Sequence, residues 1–222
     1  MIDLRKGDCL ELMKDIPDKS IDAIIADLPY GTTACKWDVV IPFEPLWAQY
    51  KRIIKENGAI VLFGQEPFSS LLRLSNFKNY KYDTYWEKER LTNINQVKKR
   101  VGKTVEIISV FYKKQCIYNP QMIKYDGEKR TNKVKNGKLG KLTDNSEKRV
   151  FEYIDNGNRY PTQVWKFKRD CLTSNLHPTQ KPVLLLEQLI KTYTDNYELL
   201  CKLYPHIQFE SLPVNGDGGN SN

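Results

Sequence analysis

A polar turn follows the first apolar run of the sequence. Residues 21–26 are rich in β-branched side chains, as in strands buried on both faces of a parallel sheet, and the run ends at Asp27-Leu28-Pro29-Tyr30. Polar residues at the carboxyl end of such a strand lie where open α/β sheets bind ligands. The carboxylate of Asp27 is therefore the first candidate for chemistry, although the same four residues could form only a strand-ending turn.

Metal and disulfide chemistry have little support in the sequence. The five cysteines are an odd number, contain no Cys-x-x-Cys pair and are accompanied by only two histidines. Zinc sites and disulfide frameworks need closer and more regular spacing of these residues. We therefore expect no metal site.

Helical and strand-like segments alternate along the chain. Apolar periodicity predicts helices at residues 9–16, 43–56, 67–74 and 181–193, the last with Pro182 near its start. Apolar or β-branched runs predict strands at residues 21–26, 59–63, 80–86 and 105–112. This alternation predicts an α/β fold with a doubly wound, mostly parallel sheet.

The composition is that of an ordinary soluble protein with a positive surplus. The chain has 222 residues, 35 Lys and Arg against 27 Asp and Glu, and a net charge of +8. Its mean hydropathy is −0.58, and no apolar run approaches the roughly 20 residues of a membrane span. The N-terminus also opens without the apolar region of a signal peptide. We expect a cytoplasmic protein with no membrane partner and with polyanions such as nucleic acid among its partners.

Most of the positive charge lies in one region. Residues 113–149 contain eleven basic residues against four acidic ones, and aromatic residues are interleaved there and just beyond. Such a mixture suits contact with phosphates and stacking on bases. A solvated, partly disordered loop would have the same composition, and composition alone favours that alternative somewhat.

Several motifs in a fixed order carry a resemblance to a known family. The turn at Asp27 resembles the [Asp/Asn/Ser]-Pro-Pro-[Tyr/Phe/Trp] signature of amino-group methyltransferases, with Leu28 in place of the first proline. Gly7-Asp8-Cys9 precedes the turn, two apolar strands at residues 57–64 and 106–113 follow it, and His177-Pro-Thr-Gln-Lys181-Pro comes after the basic region. In this order the motifs resemble the β-type DNA amino-methyltransferases, which methylate adenine N6 or cytosine N4, over about residues 4–195.

The resemblance implies a role for each residue of the turn. An exocyclic base amine is a poor nucleophile because its lone pair is delocalised into the ring. The Asp27 carboxylate and the backbone carbonyl of Leu28 would accept its two N–H groups and aim the lone pair at the methyl group. Pro29 would stiffen the turn, and Tyr30 would stack on a base flipped out of double-stranded DNA.

The resemblance also implies S-adenosylmethionine as the cofactor. Asp8 and Cys9 would lie near its adenosine half, Asp27 would lie beside it, and Lys181 would bind its carboxylate. Two structural alternatives stay open: Asp8 could only cap the first helix, and Lys181 could only be a solvated residue in a helix's first turn.

One departure from the family concerns the glycine-rich Phe-x-Gly-x-Gly loop, which relatives place after the helix of Lys181 to hold the methionine end of the cofactor. This sequence instead has an unrelated segment at residues 196–222, with glycines only near its end. We expect a shortened or frame-shifted tail and weak or absent cofactor affinity, which calorimetric titration with S-adenosylmethionine would test.

Together these features predict a Rossmann-like methyltransferase core with an inserted basic region. The catalytic core would occupy residues 1–112, a target-recognition insert 113–174, a core helix segment 175–195 and an atypical tail 196–222. The expected activity is site-specific DNA methylation of the restriction-modification kind, leaning towards N6 of adenine. The alternative is an inactive remnant that only binds DNA, and a homodimer is left open.

Overall fold

The computed structural model describes residues 3, 5–33, 35, 38–125, 127, 132–133, 152–153, 157–170 and 180–195. The chain divides into two compact units, which are described separately. The larger unit comprises Met1–Gln121 and Thr162–Phe209, and the smaller one comprises Met122–Pro161 and Glu210–Asn222. The predicted tail and His177 of the predicted His-Pro-Thr-Gln motif lie outside the described residues.

The described residues form nine strands. They are β1 (Ile21–Asp27), β2 (Ile54–Gly64), β3 (Tyr80–Glu87), β4 (Val105–Phe111), β5 (Ile123–Lys124), β6 (Asn132–Lys133), β7 (Glu152–Tyr153), β8 (Asn158–Arg159) and β9 (Val164–Lys166). Five of them make the sheet of the larger unit in the order β1-β2-β4-β3-β9. β1 pairs parallel with β2 and β3 parallel with β9, whereas β4 is antiparallel to both of its neighbours. Four of the five strands therefore point the same way.

The helices form at the positions that periodicity predicts. They are α1 (Cys9–Leu12), which continues as a 3-10 turn, α2 (Phe43–Ile53), α3 (Phe68–Ser75) and α4 (Val183–Tyr193). α2 ends three residues earlier than predicted because the chain enters β2 directly at Ile54. α4 begins at Val183, whose backbone amide donates to the Asp170 carboxylate at 2.7 Å.

Helices cover both faces of the sheet. On one face, α2 and α3 pack on Ile60, Leu62 and Phe111, in a cluster that also contains Met13. On the other face, Leu185, Leu189 and Tyr193 of α4 pack on Val61, Phe63, Ile108 and Val110. Alternate residues of the central strands thus face opposite layers, which explains their continuous apolar sequence. The α/β class and the doubly wound, mostly parallel sheet are confirmed.

The predicted insert, residues 113–174, contains strands of both units. β9 lies within it and pairs with β3 in the larger unit. In the smaller unit, β5 pairs with β8 and β6 with β7, and the Arg159 guanidinium lies 4.5 Å from the centre of the Tyr125 ring. The target-recognition role of this region stays a prediction. In the described part of the chain, no helix is long and apolar enough to cross a membrane.

Candidate functional site

Two acidic residues of the larger unit lie at one edge of the sheet. Asp27 ends β1 opposite Phe63, near the end of β2. β4 runs the other way, so its second residue, Glu106, lies at this same edge opposite Trp86. Alternate residues of a strand face the same side of the sheet. Asp27, Phe63 and Glu106 therefore lie on the face that α4 covers, since residues two or four positions away in β1 and β4 pack there: Ala23, Ile25, Ile108 and Val110.

Asp27 lies at this edge with a partly exposed carboxylate. Its side chain is 34% exposed. The Tyr30 hydroxyl donates to Oδ1 at 2.6 Å, and the Lys181 ammonium lies 2.9 Å from Oδ2. An ionised carboxylate offers about four lone-pair positions, so both oxygens keep room for a further donor. The turn therefore holds a fixed acceptor that a ligand can reach.

Lys181 joins Asp27 to a buried carboxylate. Its Nζ lies 2.8 Å from Glu106 Oε1 and 5.1 Å from the centre of the Phe63 ring. Lys88 pairs with the other oxygen of Glu106 at 2.6 Å. Burial alone would raise the pKa of Glu106, but the two ammonium groups outweigh it and hold that pKa below its ordinary value. Glu106 is therefore ionised at neutral pH and compensates two lysines.

Tyr30 reaches Asp27 from the opposite face of the sheet. Its ring packs against Phe68 of α3 at 5.1 Å between ring centres, and its hydroxyl also lies 3.3 Å from Glu106 Oε1. Burial raises the pKa of Tyr30 far above its ordinary value, and the carboxylates of Glu106 and Asp27 raise it further. The hydroxyl thus stays protonated and serves as a donor to Asp27. Leu28, between them, is buried in the same cluster.

The loop after the turn is held by Asp38. The backbone amides of Gly31, Thr32 and Thr33 donate to its carboxylate at 2.9, 2.9 and 2.7 Å. Gly31 adopts a φ of +66°, which glycine tolerates better than other residues. Burial would raise the pKa of Asp38, but bonds from the Thr33 hydroxyl and the three amides lower it to about 2. Asp38 therefore fixes the chain that follows Tyr30.

Asp8 and Cys9 stand at the start of α1. The Asp8 carboxylate accepts the backbone amide of Leu10 at 2.8 Å and so caps this helix, as the structural alternative expected. Cys9 is half-buried against the cluster that also contains Tyr30. Burial and the charge of Asp8 raise the pKa of its thiol, so it stays neutral. The cofactor-binding role of both residues stays a prediction.

The structure brings Asp27, Tyr30 and Lys181 together as one group, with Leu28 and Pro29 in the connecting turn. Glu106, Lys88 and Asp38 complete the site and were not among the predicted residues. Glu106 carried a sequence signal: it is the single charge of a strand whose other residues, apart from Ser109, are apolar. Among the described residues, no three His, Cys, Asp or Glu side chains are grouped so as to hold a metal ion.

A doubly wound α/β sheet with an acidic turn at the carboxyl end of its first strand belongs to the class of α/β folds that bind ligands at this edge of the sheet. The chain belongs to the DNA methylase family of the N6/N4 type, whose model matches residues 21–200. This match confirms the resemblance to the amino-methyltransferases of DNA.

Two relatives illustrate the similarity. The chain is 28% identical over 199 residues to DNA adenine methyltransferase YhdJ of Escherichia coli strain K12, an alignment that covers 83% of this chain and 64% of that protein. The chain thus spans less than two thirds of this relative's length. The chain is also similar to the protein in the crystal structure of the M1.HpyAVI-SAM complex, with 22% sequence identity and a TM-score of 0.53. The match covers 92% of this chain and 90% of that protein's chain. This second likeness shows a shared fold.

Proposed function

We propose that this chain transfers a methyl group from S-adenosylmethionine to the exocyclic amine of a base flipped out of double-stranded DNA. The observation that carries the proposal is the Asp27 carboxylate, partly exposed at the carboxyl edge of the sheet and held between the Tyr30 hydroxyl and the Lys181 ammonium. Its rigid position suits an acceptor that must orient one small group.

Asp27 and Leu28 would orient the amine. One N–H would donate to the Asp27 carboxylate and the other to the backbone carbonyl of Leu28, which would localise the nitrogen lone pair and aim it at the methyl group. Burial of the Leu28 side chain and the bonds that the following backbone amides donate to Asp38 hold this turn in place. After transfer, the partly exposed Asp27 carboxylate can pass the surplus proton of the amine to water.

The residues at this edge fit the amino-acid end of S-adenosylmethionine, which when bound supplies an electrophilic methyl group. Gln180 has a buried Oε1 with no hydrogen-bond partner in the described part of the chain, and Lys181 is its neighbour in sequence. A buried acceptor and an ammonium on consecutive residues suit a ligand with both an amine and a carboxylate. We assign the carboxylate to Lys181 and the adenosine half to Asp8 and Cys9.

Adenine N6 is the proposed acceptor atom. The relative from Escherichia coli is named a DNA adenine methyltransferase. In this family, Asp at the first position of the signature and Tyr-Gly at its end also favour adenine over cytosine. Double-stranded DNA is the proposed partner, while a cytoplasmic location and a homodimer stay predictions.

Transfer of a tritiated methyl group to unmethylated DNA tests the proposal. The wild-type protein should label DNA, and Asp27→Ala should abolish the label while leaving the circular dichroism spectrum unchanged. Asp15→Ala is the matched control, because the Asp15 side chain is 75% exposed and lies outside the site. Equal labelling by Asp27→Ala would contradict the mechanism. Binding of DNA without any label would support the non-catalytic alternative.

Chromatography of the digested product identifies the acceptor atom. N6-methyladenine is the expected labelled nucleoside. N4-methylcytosine would keep the proposed mechanism and correct the base, since both amines present two N–H groups to Asp27 and Leu28.

A further inference from the structure

We propose that the loop between β3 and β4, residues 88–104, is a DNA-binding surface that lies outside the basic stretch of the sequence at residues 113–149. This inference rests on the proposed function and adds the surface that holds the duplex beside the flipped base. Its occupant is the phosphate backbone flanking the target nucleotide, together with the exposed edge of the base stack.

The loop begins and ends at the candidate site. It leaves the end of β3 and returns at β4, where Lys88 at its start pairs with Glu106 at 2.6 Å. Near its end, the Lys103 ammonium donates to Gln65 Oε1 at 2.6 Å, just after β2. Both ends of the loop are therefore fixed to the edge of the sheet at which Asp27 lies.

Backbone bonds across the loop give it a defined shape. The amide of Lys88 donates to the Thr104 carbonyl at 2.7 Å, and the amide of Thr92 donates to the Lys103 carbonyl at 2.9 Å. Asn93 bonds across the loop twice: its Nδ2 donates to the Val101 carbonyl at 3.1 Å, and its Oδ1 accepts the backbone amide of Lys103 at 2.7 Å. A pre-organised loop loses little entropy when a ligand binds.

The charge of the loop is strongly positive. Its sequence has six basic residues and one acid, Glu89. The Glu89 carboxylate is already paired with Arg169 at 3.1 Å, so it does not offset the exposed cations. Lys98, Lys99 and Arg100 are consecutive and exposed at the far end of the loop. Three adjacent cations suit a polyanion with regularly spaced charges, which is the phosphate backbone.

Exposed apolar side chains lie among these cations. Val101 follows Arg100 and is 89% exposed, and Ile94 is 67% exposed. Exposure of apolar side chains to water is unfavourable. When one nucleotide is flipped out, these side chains can contact the neighbouring bases, which lose a stacking partner. An acidic protein partner would account for the cations alone. The cations and the exposed apolar side chains together favour DNA, which offers both phosphates and bases.

Charge removal with a matched control tests the phosphate contacts. The variant is Lys98→Gln/Lys99→Gln/Arg100→Gln, and the control is Lys51→Gln/Lys78→Gln/Lys81→Gln, which removes three exposed cations from the opposite edge of the sheet. Fluorescence anisotropy with a labelled mixed-sequence duplex gives the dissociation constant from about 50 to 200 mM salt. The loop variant should bind more weakly and reduce the slope of log K against log salt by about 2 to 3, whereas the control should reduce it by less than about 1.

The outcomes separate this inference from the proposed function. Equal slopes for the loop variant and the wild type, or an equal loss in the control, would overturn the role of the loop. Methyl transfer by the wild type, measured in parallel, decides the proposed function independently of that slope.

A duplex with one abasic site tests the apolar contact: the wild type should prefer it to the intact duplex, and Val101→Ser should lose the preference. An unchanged preference would overturn the contact with the base stack.

Discussion

The ammonium of Lys181 lies 2.9 Å from the carboxylate of Asp27, and the two residues approach from different elements. Asp27 ends a strand, and Lys181 stands two residues before α4 on the face of the sheet that this helix covers. The ion pair connects the proposed amine acceptor to the proposed carboxylate ligand of the cofactor. Binding of the cofactor carboxylate to Lys181 would therefore change the electrostatic environment of Asp27, and binding of the base amine to Asp27 would change that of Lys181.

Loss of the Lys181 ammonium should weaken cofactor binding. In Lys181→Met the carboxylate of S-adenosylmethionine loses its proposed partner while Asp27 and Glu106 keep their negative charges. A hydrogen bond to a charged group is worth about 1.5 to 3 kcal/mol, so the affinity should fall roughly ten- to hundredfold. Calorimetric titration measures this loss.

The matched control for this titration is Lys168→Met, because Lys168 is an exposed lysine outside the ion-pair group. Equal affinities in the wild type and Lys181→Met would remove Lys181 from the cofactor site. The wild-type titration also tests the expectation that the unusual tail weakens cofactor binding.

The buried carboxylate of Glu106 should be important for stability. In Glu106→Gln, Lys88 and Lys181 lose their shared counter-charge at positions where their side chains are only 9% and 12% exposed. Removal of one partner from a buried ion pair costs about 3 to 5 kcal/mol. Urea unfolding should show a loss of about this size.

An exposed ion pair provides the control for Glu106. Glu11 pairs with Lys14 at 2.7 Å, and both side chains are largely exposed. Glu11→Gln should therefore change the free energy of unfolding by less than about 1 kcal/mol. A loss in Glu106→Gln no larger than that would show that water reaches the two lysines and screens them.

The sequence predicts the elements better than it predicts the side chains that meet between them. The periodicity behind β1, α2 and α4 is local, so each element appears close to its predicted place. Glu106 and Lys181 are far apart in sequence, and their contact depends on the direction of β4, which residue patterns do not reveal. That direction follows from the loop at residues 88–104, which returns the chain beside β3 without a crossover helix. The role of Asp38 depends on three amides whose orientation only the folded loop shows.

Asp38 should make stability depend on pH in the acid range. Its pKa is about 2 in the folded protein against 3.8 for the free side chain. A lowered pKa means that the carboxylate stabilises the fold fully above about pH 4 and that this contribution, about 2 kcal/mol, is lost as the pH falls towards 2. Asp38→Asn should therefore be less stable than the wild type at neutral pH and should lose less stability upon acidification.

Unfolding of both proteins in urea from pH 6 to pH 2 measures this difference. Asp15→Asn is the control, because the exposed Asp15 carboxylate accepts no backbone amide in the described part of the chain. Parallel pH curves for Asp38→Asn and the wild type would show that the three amides do not hold a charged acceptor. Since Asn keeps only one oxygen, slower methyl transfer by Asp38→Asn at neutral pH should accompany the loss.

Two functions are proposed for Tyr30, and two substitutions distinguish them. Tyr30→Phe removes the hydroxyl that donates to Asp27 at 2.6 Å but keeps the ring that packs on Phe68. Because that hydroxyl donates to a carboxylate, its loss should cost about 1.5 to 3 kcal/mol and reduce methyl transfer by roughly ten- to hundredfold. Tyr30→Ala also removes the proposed stacking surface, worth about 1 to 3 kcal/mol per base, so transfer should fall a further ten- to hundredfold. Single-turnover labelling of DNA, with urea unfolding to correct for lost stability, measures both effects. Equal rates for the two variants would mean that the ring does not contact the base and that Tyr30 acts only by positioning Asp27.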